Sequence, residues 1–591
     1  MGNPRFSYLG IIRSFRQVLR NDQLVLSILA LLVGSLSGGA VVAFREAISA
    51  FEWIFFGTTS ERLVSHISDL PWWHIVAAPT VGGLVVGLII YKWMPGGRPL
   101  SVADVIESNA LHGGRMSSRT GAMAALVSAV SIGAGASVGR EGPAVHLGAA
   151  LSSWIGRRLG LSRSHIRTLL GCGVASAVAA SFNAPIAGAL FANEVIVGHY
   201  ALKAFAPIVI SSVAGTAISR GWFGDHPAFE LDTGILASFW ELPAFVLLGL
   251  CAGVTAIILM RAVMMTGDFA HNSRIPSWAR PAVAGFAVGG IAVFFPEVLG
   301  VGYGVTESAL LIKYSLWLLI ALVIAKVAAT AISMGFGFGG GIFSPALVIG
   351  ALLGGAFGII ATSAFPEVSS GPGAYTVVGM GAVAAAVLGA PISTTLIVFE
   401  LTSNYALTLA VMIAVVVASA ITHHFYGRSF FAVQLRQRGI DIRGGFETEI
   451  MRSLSVETII DASADTVARD CQLHDLRVRL QGSPMGELFV INADNTLLGT
   501  ITFSNLSETA FDRDLDGLIN AADVTRLDPP MLTPEDNLET ALSLLDTTGE
   551  DHIAVVETRE APVFLGCIHN RDVMAAYNRA LVETRHEEHG E

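Results

Sequence analysis

Charge is what this sequence has least of. Only 14% of its 591 residues are Asp, Glu, Lys or Arg, against roughly a quarter in a soluble domain. The mean hydropathy is +0.61. The shortage excludes a chain soluble along its whole length and places it among membrane proteins. Cysteine is scarce too. Cys172, Cys251, Cys471 and Cys567 lie far apart and match no metal-ligand spacing, so they read as packing residues and no metal is expected. There is no Ser/His/Asp constellation and no phosphate loop, so the chain does not read as an enzyme. His423 and His424 are adjacent near a membrane end and read as interfacial residues rather than metal ligands. No large basic patch suggests nucleic acid. The net charge of −11 says little about a substrate, because most of it can sit in soluble segments. The basic N-terminus runs into an apolar stretch too long for a signal-peptide core, with no clear cleavage site, so no signal peptide is expected.

Apolar segments recur from Leu24 to His423. The clear ones are Leu24–Phe44, Ile75–Ile90, Ala122–Ala136, Phe245–Met260, Ala282–Phe295, Leu316–Ile332 and Leu407–Ile421. Several approach the ~20 residues that span a bilayer as helix. Val102–Leu111 and Ala184–Val197 are too short to span alone. Broken helices at membrane depth occur where they are buried in protein or line a polar cavity. Trp72 and Trp73 suit an interfacial belt. Basic residues cluster at Arg13, Arg16 and Arg20, at Arg157, Arg158, Arg163 and Arg167, and at Arg428, Arg436 and Arg438. The positive-inside tendency puts all three clusters, and both termini, in the cytoplasm. Past Arg438 the chain becomes charged, with short β-branched runs between helical patterns. This reads as a soluble α/β tail large enough for its own core.

The membrane region repeats itself. Gly139-Arg140-Glu141-Gly142-Pro143 and Gly341-Ile342-Phe343-Ser344-Pro345 both read G-x-x-x-P, 202 residues apart, and each has a further glycine five residues after the proline, Gly148 and Gly350. Ala184-Pro185-Ile186 and Ala390-Pro391-Ile392 form a second pair, 206 residues apart, each followed nine residues after its proline by Glu194 or Glu400. Two landmarks at nearly one offset argue for duplicated halves, about 24–220 and 235–425. Interrupted helices in repeated halves are a transporter pattern, with the site where the halves meet.

The chemistry of G-x-x-x-P suits an anion. Glycine permits close backbone approach, and proline sits well in the first turn of a helix. The open N–H groups of that turn and the helix dipole make a partly positive end that needs no fully charged ligand. An ion held by partial charges can also leave. Glu141 stands out, since an acid within an apolar region is a functional candidate by default. As a carboxylate at a helix start it can occupy the anion's own position, and protonated it is released: a gate. The alternative is a plain N-terminal acid complementing the dipole. Arg140 needs a partner or water at this depth, and Glu194 and Glu400 are symmetry-related candidates. Lys326 is a further intramembrane cation that either raises the potential for anions or snorkels to the interface.

These residues resemble the CLC family of chloride channels and chloride/proton exchangers. GREGP at Gly139–Pro143, GGIFSP at Gly340–Pro345, FNAPIAG at Phe182–Gly188 and FELT at Phe399–Thr402 carry the resemblance, which extends from about Leu24 to Leu435. It implies an all-α polytopic membrane protein with inverted internal repeats over 23–438, assembled as a homodimer in the lipid bilayer with one pore per subunit. It implies chloride as the transported partner, with protons in the exchangers. It assigns the external gate to Glu141 and backbone contacts with the anion to Ile342 and Phe343. Gly139, Arg140, Gly142 and Gly341 complete the anion-binding candidates from the two motifs. Where the family has a GSGIP serine, this chain reads Arg98-Pro99-Leu100-Ser101, with Ser101 nearby. The family's central tyrosine aligns with Phe431, which has no hydroxyl. The internal proton-relay glutamate of many exchangers aligns with Val195; a valine there resembles the channel-type members, but exchangers without that glutamate also exist. Fluoride-selective relatives exist, and the proline of GREGP is the chloride-type form.

The tail resembles a tandem pair of CBS domains, at 451–506 and 521–577, after a linker at 439–450 and before a C-terminal segment at 578–591. Gly499-Thr500-Ile501-Thr502-Phe503-Ser504-Asn505 and Gly566-Cys567-Ile568-His569-Asn570-Arg571-Asp572 follow the pattern G-x-I-T/S-x-x-D, from which His569 and Asn505 depart. The resemblance implies an adenine nucleotide (ATP, ADP or AMP), with Thr502 toward phosphate and Asp572 toward ribose. The alternative is a degenerate dimerisation module.

Overall fold

A helix satisfies its backbone internally, so an apolar chain in lipid adopts helix wherever it can. The computed structural model describes residues 22–59, 67, 70–198, 202–224, 238–440, 451, 454–506 and 513–589. The chain divides into two units, 1–442 and 443–591. Arg13, Arg16 and Arg20, and all but the first two residues of the expected linker, lie outside the described residues.

The first unit is built of helices. The first repeat comprises α1 (Asp22–Phe56), α2 (Trp72–Trp93), α3 (Val102–Leu111), α4 (Ser118–Gly133), α5 (Glu141–Arg158), α6 (Arg163–Phe182), α7 (Pro185–Phe191) and α8 (Leu202–Phe223). The second comprises α9 (Leu242–Asn272), α10 (Arg280–Phe294), α11 (Tyr303–Leu310), α12 (Leu316–Gly335), α13 (Phe343–Ala364), α14 (Pro372–Leu388), α15 (Pro391–Thr402) and α16 (Tyr405–Phe425). A short α17 (Phe430–Gln437) follows. Among the described residues eight helices are long and apolar enough to cross a membrane.

The expected spans need correction. Ala122–Ala136 and Ala282–Phe295 become α4 and α10, of 16 and 15 residues. The long helices α6, α8 and α13 were not singled out. The most apolar window of α6 is 83% buried within the unit. A helix surrounded by protein needs small side chains for packing more than it needs strong hydropathy, and α6 is rich in Gly, Ala and Ser. The crossings show why. A Cβ on Gly148 would lie 2.4 Å from the Gly173 carbonyl oxygen, so α5 and α6 touch backbone to backbone, and a Cβ on Gly350 would lie 2.3 Å from that of Gly379, where α13 meets α14.

Hydrogen bonds follow the repeat. Ser137 donates its N–H to Ser333 Oγ at 3.1 Å, and Gly339 donates its own to Ser131 Oγ at 3.0 Å. Both donors and both acceptors are 202 residues apart. Glu194, in the π-helical turn Ala192–Val197 that continues α7, accepts from the N–H groups of Ile392 and Ser393 at 3.1 and 2.8 Å. Glu400 accepts from Ile186 and Ala187 at 3.0 and 2.7 Å. Each glutamate thus satisfies the open first turn of the other repeat's helix.

The second unit holds two copies of one motif. The first runs β1 (Thr466–Ala468), α18 (Leu473–Gly482), β2 (Glu487–Ile491), β3 (Leu497–Thr502) and α19 (Phe503–Leu506). After α20 (Ala521–Val524) and β4 (Arg526–Leu527) the second runs β5 (Met531–Leu532), α21 (Leu538–Thr548), β6 (His552–Val556), β7 (Phe564–His569) and α22 (Asn570–His589). The sheets are ordered β1-β2-β3-β4 and β5-β6-β7, with the first pair of each parallel and the rest antiparallel. β4, which leads into the second motif, pairs with β3 at Thr500. Asp461, which leads into the first, pairs with Cys567 of β7. Cys567 is a packing residue, and burial pushes its thiol up to about 12.

Replacing Glu194 with Ala leaves two N–H groups of α15 without their acceptor. Glu194→Ala is expected to lower stability by on the order of 2 kcal/mol, read as a fall in the thermal unfolding midpoint in detergent. Glu194→Gln, which keeps a neutral acceptor, loses less.

Candidate functional site

Four helix starts line one cavity of about 390 Å³. They are Ser101 and Val102 of α3, Glu141 and Gly142 of α5, Ile342 and Phe343 of α13, and Phe430 and Phe431 of α17. Each helix directs its open N–H groups and the positive end of its dipole to its N-terminus. In α5 the first intrahelical bond runs from Ala144 to Arg140, and in α13 from Ala346 to Ile342. The amides of Gly142, Phe343 and Ser344 therefore stand outside their helices' ladders. Much of the remaining wall is apolar, including Val145, Val178, Phe191 and Met334. Phe343 packs on Phe182 and Phe191, with centroids 4.9 and 6.1 Å apart. Low polarity strengthens the pull of oriented dipoles on an anion.

Two expected anion ligands have other roles. Gly139 and Gly341 exchange both N–H···O bonds, each 2.7 Å, so their amides join the two motifs and do not face an ion. A Cβ on Gly341 would lie 3.0 Å from the Gly142 nitrogen, which fits the need for glycine there. Arg140 lines a second cavity, of about 470 Å³, together with Arg45, Glu52 and Tyr303. It is not paired with Glu194 or Glu400. Its Nε lies 3.9 Å from Glu141 Oε1, and its guanidinium sits 4.7 Å above the Tyr303 ring. A buried guanidinium needs a carboxylate or a ring face, and both are nearer than the distant glutamates.

Ser101 is the N-cap of α3, with its N–H donating to Asp104 Oδ2 at 2.7 Å. Asp104 also receives Arg98 at 2.6 Å and Arg438, from the end of α17, at 3.1 Å. The helices carrying Ser101 and Phe431 are thus held to each other by one carboxylate. Phe431 is buried on the cavity wall.

Glu141 is only 2% exposed. Tyr303 donates its hydroxyl to Oε1 at 3.0 Å, and Ser344 donates its own to Oε2. A Cβ on Gly139 would fall 2.9 Å from Oε2, so the carboxylate is folded back over that glycine. Sequence reasoning missed Tyr303. A tyrosine 162 residues away gives no local signal, although the glycine-rich run Gly300–Gly304 around it hinted at a loop in close quarters. Ser344 was in view within the second motif, but its contact was not. Lys326 does not snorkel. It is 1% exposed, and its ammonium donates to the carbonyls of Val298 and Gly300 at 2.9 and 3.0 Å. No group of three or more potential metal ligands occurs among the described residues.

A family model described as voltage gated chloride channel matches residues 82–423. The chain belongs to the voltage-gated chloride channel family. A putative ClcB-like chloride channel protein of Ralstonia nicotianae is 35% identical over 418 residues, 69% of this chain and 96% of that one. A voltage-gated ClC-type chloride channel, ClcB, of Escherichia coli is 30% identical over 413 residues, 68% and 97% of the two chains. Among solved structures, a slow cyanobacterial Cl−/H+ antiporter superposes with a TM-score of 0.63 at 22% identity, over 70% of this chain and 97% of that one. A eukaryotic CLC transporter does so with 0.61 at 19% identity, over 93% and 97%. These two likenesses are of fold. The CBS domain model matches residues 521–579. The chain is therefore an integral, multi-pass membrane protein of the CLC fold with a CBS tail.

Val195 lies in the π-helical turn that carries Glu194, half-buried against the apolar core. In the CBS unit Thr502 ends β3 and Asp572 lies in the first turn of α22. They belong to different copies of the motif, and neither copy holds both. At Thr502's equivalent in the second copy stands His569, whose ring packs on buried His552 at 4.5 Å. His552 Nδ1 in turn lies 3.5 Å from Glu487 Oε2.

Phe431 places a ring on the cavity wall where a phenol would add a donor. Phe431→Tyr is expected to tighten chloride binding about tenfold, the lower end of what a hydrogen bond to a charge contributes. Isothermal titration of chloride into the detergent-solubilised protein reads the change.

Proposed function

We propose that each subunit conducts chloride through its own pore, with the Glu141 carboxylate as the gate. The observation carrying this reading is the placement of Glu141: it lies at one of four helix starts that converge on a single cavity, where it takes the place of an anion. The family and the curated relatives named as chloride channels support chloride as the ion. The site offers oriented dipoles, which fit a conductor of anions. We orient the chain with both termini cytoplasmic, following the basic clusters, and pair it with a second copy in the bilayer as the family implies.

Conduction is channel-like in this reading. Val195 cannot carry a proton, and Glu194 beside it is engaged with the N–H groups of Ile392 and Ser393. A glutamate relay therefore lacks its internal step. Glu141→Gln mimics the protonated gate and cannot act as a competing anion. It is expected to leave chloride flux into liposomes fast and independent of pH. Under opposed chloride and proton gradients the wild-type reversal potential is expected to stay at the chloride equilibrium value. A reversal potential that follows the proton gradient at fixed stoichiometry makes the protein an exchanger. Faster fluoride than chloride flux would make it a fluoride-preferring relative.

The CBS tail is read as an adenine-nucleotide sensor, with Asp572 toward the ribose and Thr502 toward phosphate. The full-length protein in detergent should gain thermal stability with ATP, ADP or AMP, and Asp572→Ala should remove that gain. No shift with any of the three leaves the tail a purely structural module.

A further inference from the structure

We propose that Tyr303 and Ser344 are a two-hydroxyl latch, contributed by the second repeat, that holds the Glu141 carboxylate of the first and sets how long the gate stays shut. This rests on the reading of Glu141 as the gate and adds the residues that position it. Each carboxylate oxygen has its own hydroxyl donor, Tyr303 on Oε1 and Ser344 on Oε2. Among the described residues no other hydroxyl donates to it.

The two donors are well fixed. Ser344 lies in the first turn of α13, directly after Phe343 on the cavity wall. Tyr303 opens α11 behind Gly302, whose φ of 94° turns the chain sharply. The loop before it is tethered by the Lys326 ammonium, which takes the carbonyls of Val298 and Gly300. The face of the phenol ring is covered by the Arg140 guanidinium. Lys326 thereby gains a role: its buried charge holds the tyrosine loop in place rather than meeting the ion.

The position is also distinctive. Tyr303 lines the 470 Å³ cavity and Glu141 the 390 Å³ one. Their hydrogen bond lies on the partition between the two spaces. The two hydrogen bonds come from neutral donors, which suit a gate that must release; Arg140 Nε, 3.9 Å from Oε1, is a charge beside the carboxylate but beyond hydrogen-bond distance. A lysine or arginine aimed at both oxygens would hold the carboxylate far more tightly. A hydroxyl bond is charge-assisted only while the acid is ionised, so protonation weakens both contacts together.

Tyr303→Phe keeps the ring beneath Arg140 and removes only the hydroxyl, and Ser344→Ala removes the other. Each variant is reconstituted into liposomes after passing as a single species on size exclusion, and chloride efflux is measured from pH 7.5 to 4.5. Each is expected to raise efflux about tenfold at pH 7.5, with the gain fading toward pH 4.5. In a Glu141→Gln background the same substitutions should change efflux less than twofold. An acceleration of equal size in both backgrounds overturns the latch, because it would not act through the carboxylate. So does unchanged or slower efflux in both single variants while Glu141→Gln itself accelerates transport. If Glu141→Gln leaves rate and pH dependence as they were, the gate reading fails, and the latch with it.

Discussion

The candidate site depends on two backbone hydrogen bonds. Gly139 and Gly341 exchange N–H and C=O at 2.7 Å each way, so the two G-x-x-x-P motifs meet back to back. A Cβ on either glycine would lie 3.0 Å from a backbone nitrogen of the facing motif, so glycine fits here with least adjustment, and the approach places α5 and α13 with their open first turns on the same cavity. The flanking serine bonds, Ser137 to Ser333 and Gly339 to Ser131, repeat the exchange one step further out. The cavity is therefore walled by residues of both polypeptide halves, and neither half forms it alone.

The sequence showed the joint better than it showed the walls. Two G-x-x-x-P motifs 202 residues apart are legible because the chemistry demanded of them, close backbone approach followed by a helix start, permits few residue types. The matched Ala-Pro-Ile motifs and their glutamates were legible for the same reason. Partners across the joint were not. For Arg140 the sequence makes the symmetry-related glutamates conspicuous as candidates, whereas its neighbours are the adjacent Glu141 and a tyrosine 163 residues on. Gly139 and Gly341 were read as anion ligands because their type matched, but which way an amide points is decided by pairing and not by type. Helix α6 has weak hydropathy because hydropathy reports contact with lipid, and this helix is mostly enclosed by others; α13 is as apolar as the spans that were legible, and its hydropathy does not explain why it was not singled out.

The tail repeats the principle in another material. The segment that introduces each CBS motif adds itself to the other motif's sheet, Arg526 beside Thr500 and Asp461 beside Cys567. The recognition pattern has meanwhile diverged. One copy has the threonine and the other the aspartate, and the threonine position of the second copy is filled by a histidine that meets a second one edge to face. The strands were readable because short β-branched runs between helical patterns are a local signal. The split of the site is a property of the pair and appears only when both copies are placed on one framework.

The crossed glutamates bear on how the protein is made. Glu194 reaches the membrane about two hundred residues before Ile392 and Ser393, whose N–H groups it will accept. At the usual pace of synthesis, roughly 5–20 residues per second, that interval lasts on the order of ten to forty seconds. Throughout it the first half carries a carboxylate with no helix start to meet, and the start of its own α7 lacks Glu400. The half-made protein is thus a substrate for whatever shelters polar groups during insertion.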